Sequence, residues 1–340
     1  MSTTEKSARP KVVLVGGIYH AEADQLLRAN ADVMALDRPS PAQIAAALVD
    51  ADGAIVRYPY RIDESVLGGA KRLVAVASSG RGTDSIDVPA CTRHGVLVAN
   101  NPGFGTVPVS EHAIALLLAL SRRLVEGGKA IRAGGAWDKR TDLDVLDLYG
   151  RTLGIVGLGL IGSEMARKCI AAFSLNVLAY DPYVPAAKAE ALGATMLTDL
   201  DELLERSDFV SMHCELNDGS RGMIGEAQLR RMRAHAFLVN TSRGKVVQQK
   251  ALEKALAERW IAGAALDVFE DEPLANPSTL LQFDNLLLTP HVAGLSGDAL
   301  RALANSAVTQ LLQALSGERP KNVVNPPAWD AAMARRAAAG

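Results

Sequence analysis

Glycines at 157, 159 and 162 sit between an apolar run, Leu153 to Val156, and a helix-compatible stretch from Ser163 to Arg167. Gly157 permits a tight turn, Gly159 lets the backbone approach a ligand, and Gly162 lets the helix pack closely on the strand. The turn, with Leu160 and Ile161 between its last two glycines, opens a helix whose first N–H groups point at an anion. Nineteen residues beyond Gly162, a second apolar run, Leu175 to Tyr180, ends in Asp181. An acidic group there accepts hydrogen bonds from an adenosine ribose and repels a ribose 2′-phosphate. Pro182 and Tyr183 follow, with no Arg or Lys to hold such a phosphate. The pattern predicts a bound dinucleotide, NAD rather than NADP.

At 340 residues and 49% hydrophobic, the chain is long and apolar enough for two domains with large cores. Its net charge of −2 supplies no extended field for nucleic acid or an anionic membrane, so neither is an expected partner. Cys91, Cys169 and Cys214 are odd in number and lack metal-ligand spacing, which argues against a disulfide framework or a zinc site. A reducing cytoplasm fits that usage best, and no metal is expected. The stretch Met1 to Pro10 is polar, and no apolar segment reaches membrane-spanning length. Neither secretion nor membrane insertion is indicated.

From residue 11 to about 100, short apolar runs alternate with helix-compatible stretches: Val12 to Val15, Val33 to Leu36, Ala54 to Val56, Val74 to Ala77 and Val96 to Ala99. This is the βα pattern of a parallel sheet. A long apolar helix is expected at about Val109 to Leu124, then a glycine-rich link through Gly127, Gly134 and Gly135 to Trp137. A second set of strands begins at Leu153 and continues at Leu175 to Tyr180, Phe209 to His213, Phe237 to Val239, Ala262 to Leu266 and Leu286 to Leu288. The nucleotide turn comes after a complete α/β unit, so its domain reads as an insertion. We expect an α/β chain of two doubly wound parallel-sheet domains, a Rossmann NAD-binding domain at 109–296 inserted into a flavodoxin-like substrate domain made of 1–108 and 297–340. Helical crossovers would join them, the second near Ser296 to Leu315, with Asn322 to Pro326 returning to the first domain. Ala331 to Gly340 reads as a short helix or a frayed tail.

Open α/β sheets bind ligands beyond the carboxyl ends of their strands, and three polar residues follow expected strands. Arg243, in Asn240-Thr241-Ser242-Arg243-Gly244, has a planar fork suited to clamping a carboxylate. Glu272 follows the Ala262 to Leu266 run, and His291 follows Leu286 to Pro290. A carboxylate beside an imidazole favours the protonated ring, which can give a proton to a carbonyl oxygen as hydride arrives. Each also has an ordinary reading: a solvated loop arginine, a turn-capping acid, a packed histidine. Spacing alone does not bring them together. His112 is assigned to packing or hinge hydrogen bonding, Cys214 to apolar filling, and His94 and His235 to surface or turn positions.

Over roughly residues 11 to 326 the chain resembles the D-isomer-specific 2-hydroxyacid dehydrogenase family. The matching blocks are Gly80 to Asp87, Asn100-Asn101-Pro102-Gly103, Val109-Ser110-Glu111-His112, the Gly157 to Gly162 turn, Asn240 to Gly244, Ala265 to Pro273 and Thr289-Pro290-His291. The resemblance implies that Arg243 binds the substrate carboxylate, Glu272 orients and charges His291, and His291 exchanges the proton. It implies that Asp267 helps hold the nicotinamide amide, with Thr241 also on the cofactor side. Backbone N–H groups around Gly80 to Gly82, with Ser79 beside them, would receive the carboxylate in a cleft between the domains. Arg81 stands where a small or aliphatic residue is usual; it either meets a second anionic group or is an outward or ion-paired side chain. Arg57 resembles an arginine of phosphoglycerate-type members near the substrate phosphate. Glu215 and Asn217 replace a common Pro and Thr, which bears on cofactor contacts, and Gln248-Gln249 replaces an acidic pair at a helix start.

The expected activity is NAD-dependent interconversion of a D-2-hydroxyacid and its 2-keto acid, in a homodimer whose interface includes the apolar helix at 112–120. Three readings compete with it: a dinucleotide-sensing, corepressor-like protein, a formate dehydrogenase, and a methyltransferase using a glycine-rich turn. The near-neutral charge counts against the first. Formate needs no proton donor, so Glu272 beside a histidine counts against the second. The three strand-end residues count against the third.

Overall fold

Side chains on a strand alternate between faces, so a sheet covered by helices on both faces needs apolar residues at nearly every strand position. The computed structural model, which describes residues 9–134, 137 and 140–339, shows this in two compact units. One is made of the chain up to Gly105 and from Ser296 onward, and the other is Thr106–Leu295. Met1 to Ala8 of the polar start, Gly135 of the glycine-rich link and the terminal Gly340 lie outside the described residues.

The first unit holds five parallel strands, β1 (Lys11–Val15), β2 (Asp32–Leu36), β3 (Gly53–Val56), β4 (Ala75–Ser78) and β5 (Leu97–Ala99), in the order β2-β1-β3-β4-β5. That is the flavodoxin-like winding. Val13, Val15, Ala54, Val56, Val76 and Val98 pack on one face against the helices Pro41–Leu48, Glu64–Leu67 and Val88–Arg93. Val12, Leu14, Ile55, Ala75 and Leu97 pack on the other, against the helices Ala21–Asn30 and Gly297–Ser316. The segment after Gly297–Ser316 returns to the sheet as expected: Val323 bridges Ala99, and the Val324 N–H donates to the Val98 carbonyl at 2.8 Å. The last stretch is a helix, Trp329–Ala339. Ala332 is buried on it, and Arg335 donates to the Ala70 carbonyl at 2.9 Å, so it is docked rather than frayed.

The second unit holds seven parallel strands, β6 (Thr152–Val156), β7 (Asn176–Tyr180), β8 (Thr195–Leu197), β9 (Phe209–Met212), β10 (Phe237–Asn240), β11 (Gly263–Leu266) and β12 (Leu286–Leu288), ordered β12-β11-β10-β9-β6-β7-β8. The order reverses between β6 and β9, the crevice where dinucleotides bind in this winding. Strand β8 was not expected. Its three residues pair only with β7 at the sheet edge and are at most half-buried, so they carry no continuous apolar run.

The region after the first crossover departs from expectation. The apolar helix spans Thr106–Ser121, and a second helix, Leu124–Arg132, replaces the first part of the glycine-rich link and encloses Gly127 and Gly128. Glycine disfavours a helix interior by about 1 kcal/mol relative to alanine, which is why composition pointed to a link. The break falls at Arg123, whose backbone is left-handed (φ 50°) and whose guanidinium lies 5.2 Å from the centre of the Phe237 ring. Helix Thr106–Ser121 buries Ala113, Leu116, Leu117 and Leu120 against the sheet and helix Leu160–Phe173.

Candidate active site

Each glycine of the nucleotide turn meets different surroundings. At Gly157 (φ +95°) a Cβ would lie 2.5 Å from the Cys214 backbone nitrogen, and at Gly162 one would lie 2.1 Å from the Gly157 carbonyl oxygen. At Gly159 a Cβ would meet nothing within 4 Å. Packing therefore demands two of the glycines, while the third leaves room for a pyrophosphate. Gly159 is also the N-cap of helix Leu160–Phe173 and has no side chain to satisfy the first amide donors, which suits an anion there.

Asp181 lies directly after β7. Its carboxylate accepts from the Leu158 N–H at 2.8 Å and the Tyr183 N–H at 2.9 Å, one bond to each oxygen. A carboxylate oxygen has room for a further donor, so both can also take a ribose hydroxyl. The residues therefore fit an adenosine dinucleotide. Sequence reading overlooked Lys188. Helix Ala186–Ala191 carries it back to the turn, where its ammonium donates to the Leu158 carbonyl at 2.6 Å.

Arg243, Asp267 and His291 leave three adjacent strands. The registers Asn240↔Leu266 and Leu266↔Leu288 align the carboxyl ends of β10, β11 and β12, so Thr241, Asp267 and Thr289 start neighbouring loops. The Asn240 side chain shapes the first loop: its oxygen accepts from the Ser242 N–H at 3.0 Å, and its Nδ2 donates to the Arg243 carbonyl at 3.0 Å. One guanidinium N–H of Arg243 donates to the Ser242 carbonyl at 2.8 Å. Gly244 follows because a Cβ there would lie 1.8 Å from the Phe269 carbonyl, so the loops after β10 and β11 touch backbone to backbone.

Glu272 and His291, nineteen residues apart, are in contact: His291 Nδ1 lies 2.6 Å from Glu272 Oε2. The other oxygen, Oε1, accepts the Phe269 N–H at 2.9 Å, and the Glu272 side chain is largely buried. A carboxylate oxygen accepts, so the hydrogen bond of this pair is Nδ1–H to Oε2. The His291 side chain is 40% exposed, enough to reach a substrate. Its backbone is left-handed (φ 53°), a conformation costing a histidine on the order of 1 kcal/mol. His291 N–H bonds to the carbonyls of Asp267 and Thr289, at 2.9 and 3.0 Å, hold it there.

Asp267 is fully enclosed. Its Oδ1 accepts from Thr289 Oγ1 at 2.6 Å and the Val292 N–H at 2.9 Å, and Oδ2 accepts the Ala293 N–H at 2.9 Å. These bonds tie down the loop that carries His291. These contacts make Asp267 a loop anchor. His112 Nε2 lies 3.1 Å from the same Thr289 hydroxyl. Because that hydroxyl donates to Asp267, it accepts from His112, a hydrogen-bonding role like the one expected of this histidine.

In the first unit, Ser79, Gly80, Arg81 and Gly82 form the loop after β4. The Ser79 N–H donates to the Val56 carbonyl at 2.9 Å and the Gly80 N–H to Ser78 Oγ at 3.2 Å. These two amides are therefore engaged within the first unit. Arg57 lies with its guanidinium 4.6 Å from the centre of the Tyr19 ring, and Arg81 is half-buried.

Residues 114–293 match the family model described as the NAD binding domain of D-isomer specific 2-hydroxyacid dehydrogenases. The chain belongs to that family. It is 43% identical over 290 residues to a glyoxylate reductase of Korarchaeum cryptofilum, covering 84% of this chain and 86% of the relative. It is 35% identical to a D-3-phosphoglycerate dehydrogenase of Methanocaldococcus jannaschii, covering 93% of this chain but only 59% of that longer one. Among solved structures it resembles the NADPH-dependent glyoxylate/hydroxypyruvate reductase of Sinorhizobium meliloti, in complex with NADP and malonate. There the TM-score is 0.82 and the identity 29%, with 93% of this chain and 97% of that one covered. The chain is therefore a nicotinamide-dinucleotide-dependent 2-hydroxyacid dehydrogenase.

Where this dehydrogenase departs from the usual family residues, local structure accounts for one change: the Asn217 side chain caps a turn by accepting from the N–H groups of Gly219 and Ser220 at 2.9 and 3.0 Å. Gln249 opens helix Gln249–Ala257, and Gln248 before it donates to the Gly222 carbonyl at 2.8 Å. Burial pushes the Cys214 thiol up to about 11, consistent with an apolar filler. Burial likewise holds His213 down to about 4, so this imidazole against the turn is neutral.

Proposed function

We propose that this enzyme reduces a short 2-keto acid to its D-2-hydroxyacid, and reverses the reaction, using NAD as its dinucleotide. The bound nicotinamide supplies or accepts the hydride. The Arg243 guanidinium clamps the substrate carboxylate, and His291 Nε2 gives its proton to the carbonyl oxygen as charge develops there. Glu272 holds Nδ1–H and stabilises the imidazolium. Asp267 acts through the loop it anchors, and Thr241 lies on the cofactor side of the Arg243 loop. The observation that carries this reading is the 2.6 Å contact between His291 and Glu272 at the carboxyl edge of the dinucleotide-binding sheet. Formate oxidation has no use for such a pair. Asp181 favours NAD, since both its oxygens face the turn at the end of β7.

The glyoxylate reductase and phosphoglycerate dehydrogenase relatives support a small, strongly anionic acid. The test is NADH oxidation, read by absorbance, against glyoxylate, hydroxypyruvate, phosphohydroxypyruvate, pyruvate and branched-chain keto acids. Tight NADH binding without turnover on any of them would sink the proposal. The inserted dinucleotide domain, 109–296, is proposed to carry the proton chemistry and the first domain the carboxylate amides.

A homodimer is also proposed. Helices Thr106–Ser121 and Leu124–Arg132 leave Val107, Leu124 and Ile131 exposed by 52, 60 and 55%, apolar side chains that a second copy could cover. Light scattering giving the mass of one chain would remove it. No helix among the described residues is long and apolar enough to cross a membrane, and Cys91, Cys169 and Cys214 as free thiols support the reducing cytoplasm proposed for this enzyme.

A further inference from the structure

Side chains tie four carbonyl groups around the loop after β4. Asn101 Nδ2 donates to the Ser78 carbonyl at 2.7 Å and, at 3.4 Å, to that of Gly80, which also accepts the Asn101 N–H at 3.3 Å. Asn100 Nδ2 donates to the Arg81 carbonyl at 2.8 Å, and Ser78 Oγ to the Gly82 carbonyl at 2.7 Å. Gln310, on helix Gly297–Ser316, stands behind them. Its Nε2 donates to the Asn100 carbonyl at 2.9 Å and to Asn101 Oδ1 at 3.0 Å, while its Oε1 accepts the Asn322 N–H at 2.9 Å. Asn101 is 0% and Gln310 4% exposed, so these are buried amides with their bonds made inside the unit.

In a trans peptide the carbonyl and the following N–H point in opposite directions. Fixing the carbonyls of Gly80 and Arg81 toward Asn101 and Asn100 therefore turns the N–H groups of Arg81 and Gly82 away from those anchors. A loop with glycines at 80 and 82 does not hold such an orientation on its own, because glycine has a wide choice of backbone conformation. Unpaired carbonyls facing the interior would also be costly.

We infer that Asn101, backed by Gln310 and working beside Asn100, is a positioning residue for substrate binding: Asn101 holds the Gly80 carbonyl and Asn100 that of Arg81, which sets the Arg81 and Gly82 amides to receive the carboxylate. This rests on the proposed role of the loop as carboxylate cradle. The clamp is neutral at every working pH, so it holds an anion without competing for the proton that His291 exchanges. It also links the cradle to the crossover helix Gly297–Ser316, at a site remote in sequence from the Gly80 loop.

The test compares wild type with Asn101→Ala and Gln310→Glu; the second keeps the acceptor for Asn322 and removes the Nε2 donors. KM for the best keto acid should rise about tenfold in Asn101→Ala, the weight of one lost anion contact, and in the same direction in Gln310→Glu. NADH affinity, read by fluorescence titration, should stay within twofold of wild type. Oxamate, an unreactive carboxylate mimic, should bind the NADH-loaded variants more weakly by a similar factor. Unchanged KM and oxamate affinity in a folded variant would overturn the inference, as would a parallel loss of NADH binding. Should Asn101→Ala not fold, Gln310→Glu decides by the same readouts. A wild type that binds NADH but neither turns over a keto acid nor binds oxamate overturns the functional reading and this inference with it, whereas an active wild type with unaltered variants overturns the inference alone.

Discussion

The carboxyl edges of the two sheets are built in opposite ways. In the first unit side chains are the fasteners and the backbone is presented: Asn100, Asn101 and Ser78 hold carbonyls inward and turn amides outward. In the second unit side chains are presented and backbone N–H groups fasten the carboxylates, while Asn240 and Asp267 tie down the loops. The Phe269 N–H holds Glu272, the Leu158 and Tyr183 N–H groups hold Asp181, and those of Val292 and Ala293 hold Asp267 under the His291 loop. The difference fits the chemistry proposed for each edge. Holding a carboxylate needs fixed dipoles that do not titrate, which peptide N–H groups supply. Exchanging a proton, or choosing between ribose and its phosphate, needs ionisable side chains whose orientation something else must fix.

The strongest way to break this comparison is to remove the presented side chain of the second edge. His291→Ala should lower kcat by about a thousandfold at unchanged NADH affinity, the usual weight of a general acid. Glu272→Gln should lose less, because it keeps the ring roughly in place while withdrawing the charge that stabilises the imidazolium. If His291→Ala retained more than a tenth of wild-type kcat, the second edge would not be the proton-exchanging one.

Arg243→Gln probes whether the backbone edge binds the carboxylate unaided. KM for the keto acid should rise roughly fiftyfold, as expected for a lost charge-assisted bidentate contact, with kcat also reduced. A KM within threefold of wild type would assign the carboxylate to the first unit's amides alone. Asp181→Ala should narrow the preference for NADH over NADPH by about tenfold, chiefly through better use of NADPH, since the repelling charge is gone and Lys188 stays nearby. Equal loss of both cofactors would mean that Asp181 only supports the turn through Leu158.

The smallest expected effect concerns a clamp that does titrate. Asp208, just before β9, bonds to the Thr152 N–H at 2.8 Å, Arg233 at 2.9 Å and His235 at 2.7 Å. Burial alone would raise its carboxyl, but the bonds from His235, Thr152 and Arg233 together outweigh burial and hold it below the usual range. As pH falls below about 4, the unfolded chain takes up this proton before the folded one does, so the stability Asp208 contributes is lost. Asp208→Asn should lower Tm slightly at neutral pH and make its fall on acidification shallower. A pH dependence of Tm identical to wild type would show that the clamp does not couple to the proton; the neutral Asn101 clamp has no such dependence to lose.

Sequence alone determined the local chemistry of this protein. Apolar runs of four or five residues separated by helical stretches specify buried parallel strands, since each face needs an apolar residue at alternate positions. The spacing of Gly157, Gly159, Gly162 and Asp181 specifies a dinucleotide turn, because each requirement is met within one βαβ unit. What lay outside such local rules was decided by tertiary structure. The three-residue β8 exists only through its pairing with β7, and helix Leu124–Arg132 outlasts its glycines beside an Arg123 anchored on Phe237. Arg243, Glu272 and His291 were legible as strand-end residues, but strand order, not spacing, placed His291 against Glu272 and set β10, β11 and β12 side by side. Lys188 at the nucleotide turn, Asp267 as a loop anchor and Gln310 behind the Gly80 loop left no sequence signal. Leu158 for Lys188, Thr289 for Asp267 and Asn101 for Gln310 are 22 or more residues away, and a hydrogen bond across that distance in the chain is a property of packed elements, not of any pattern along one of them.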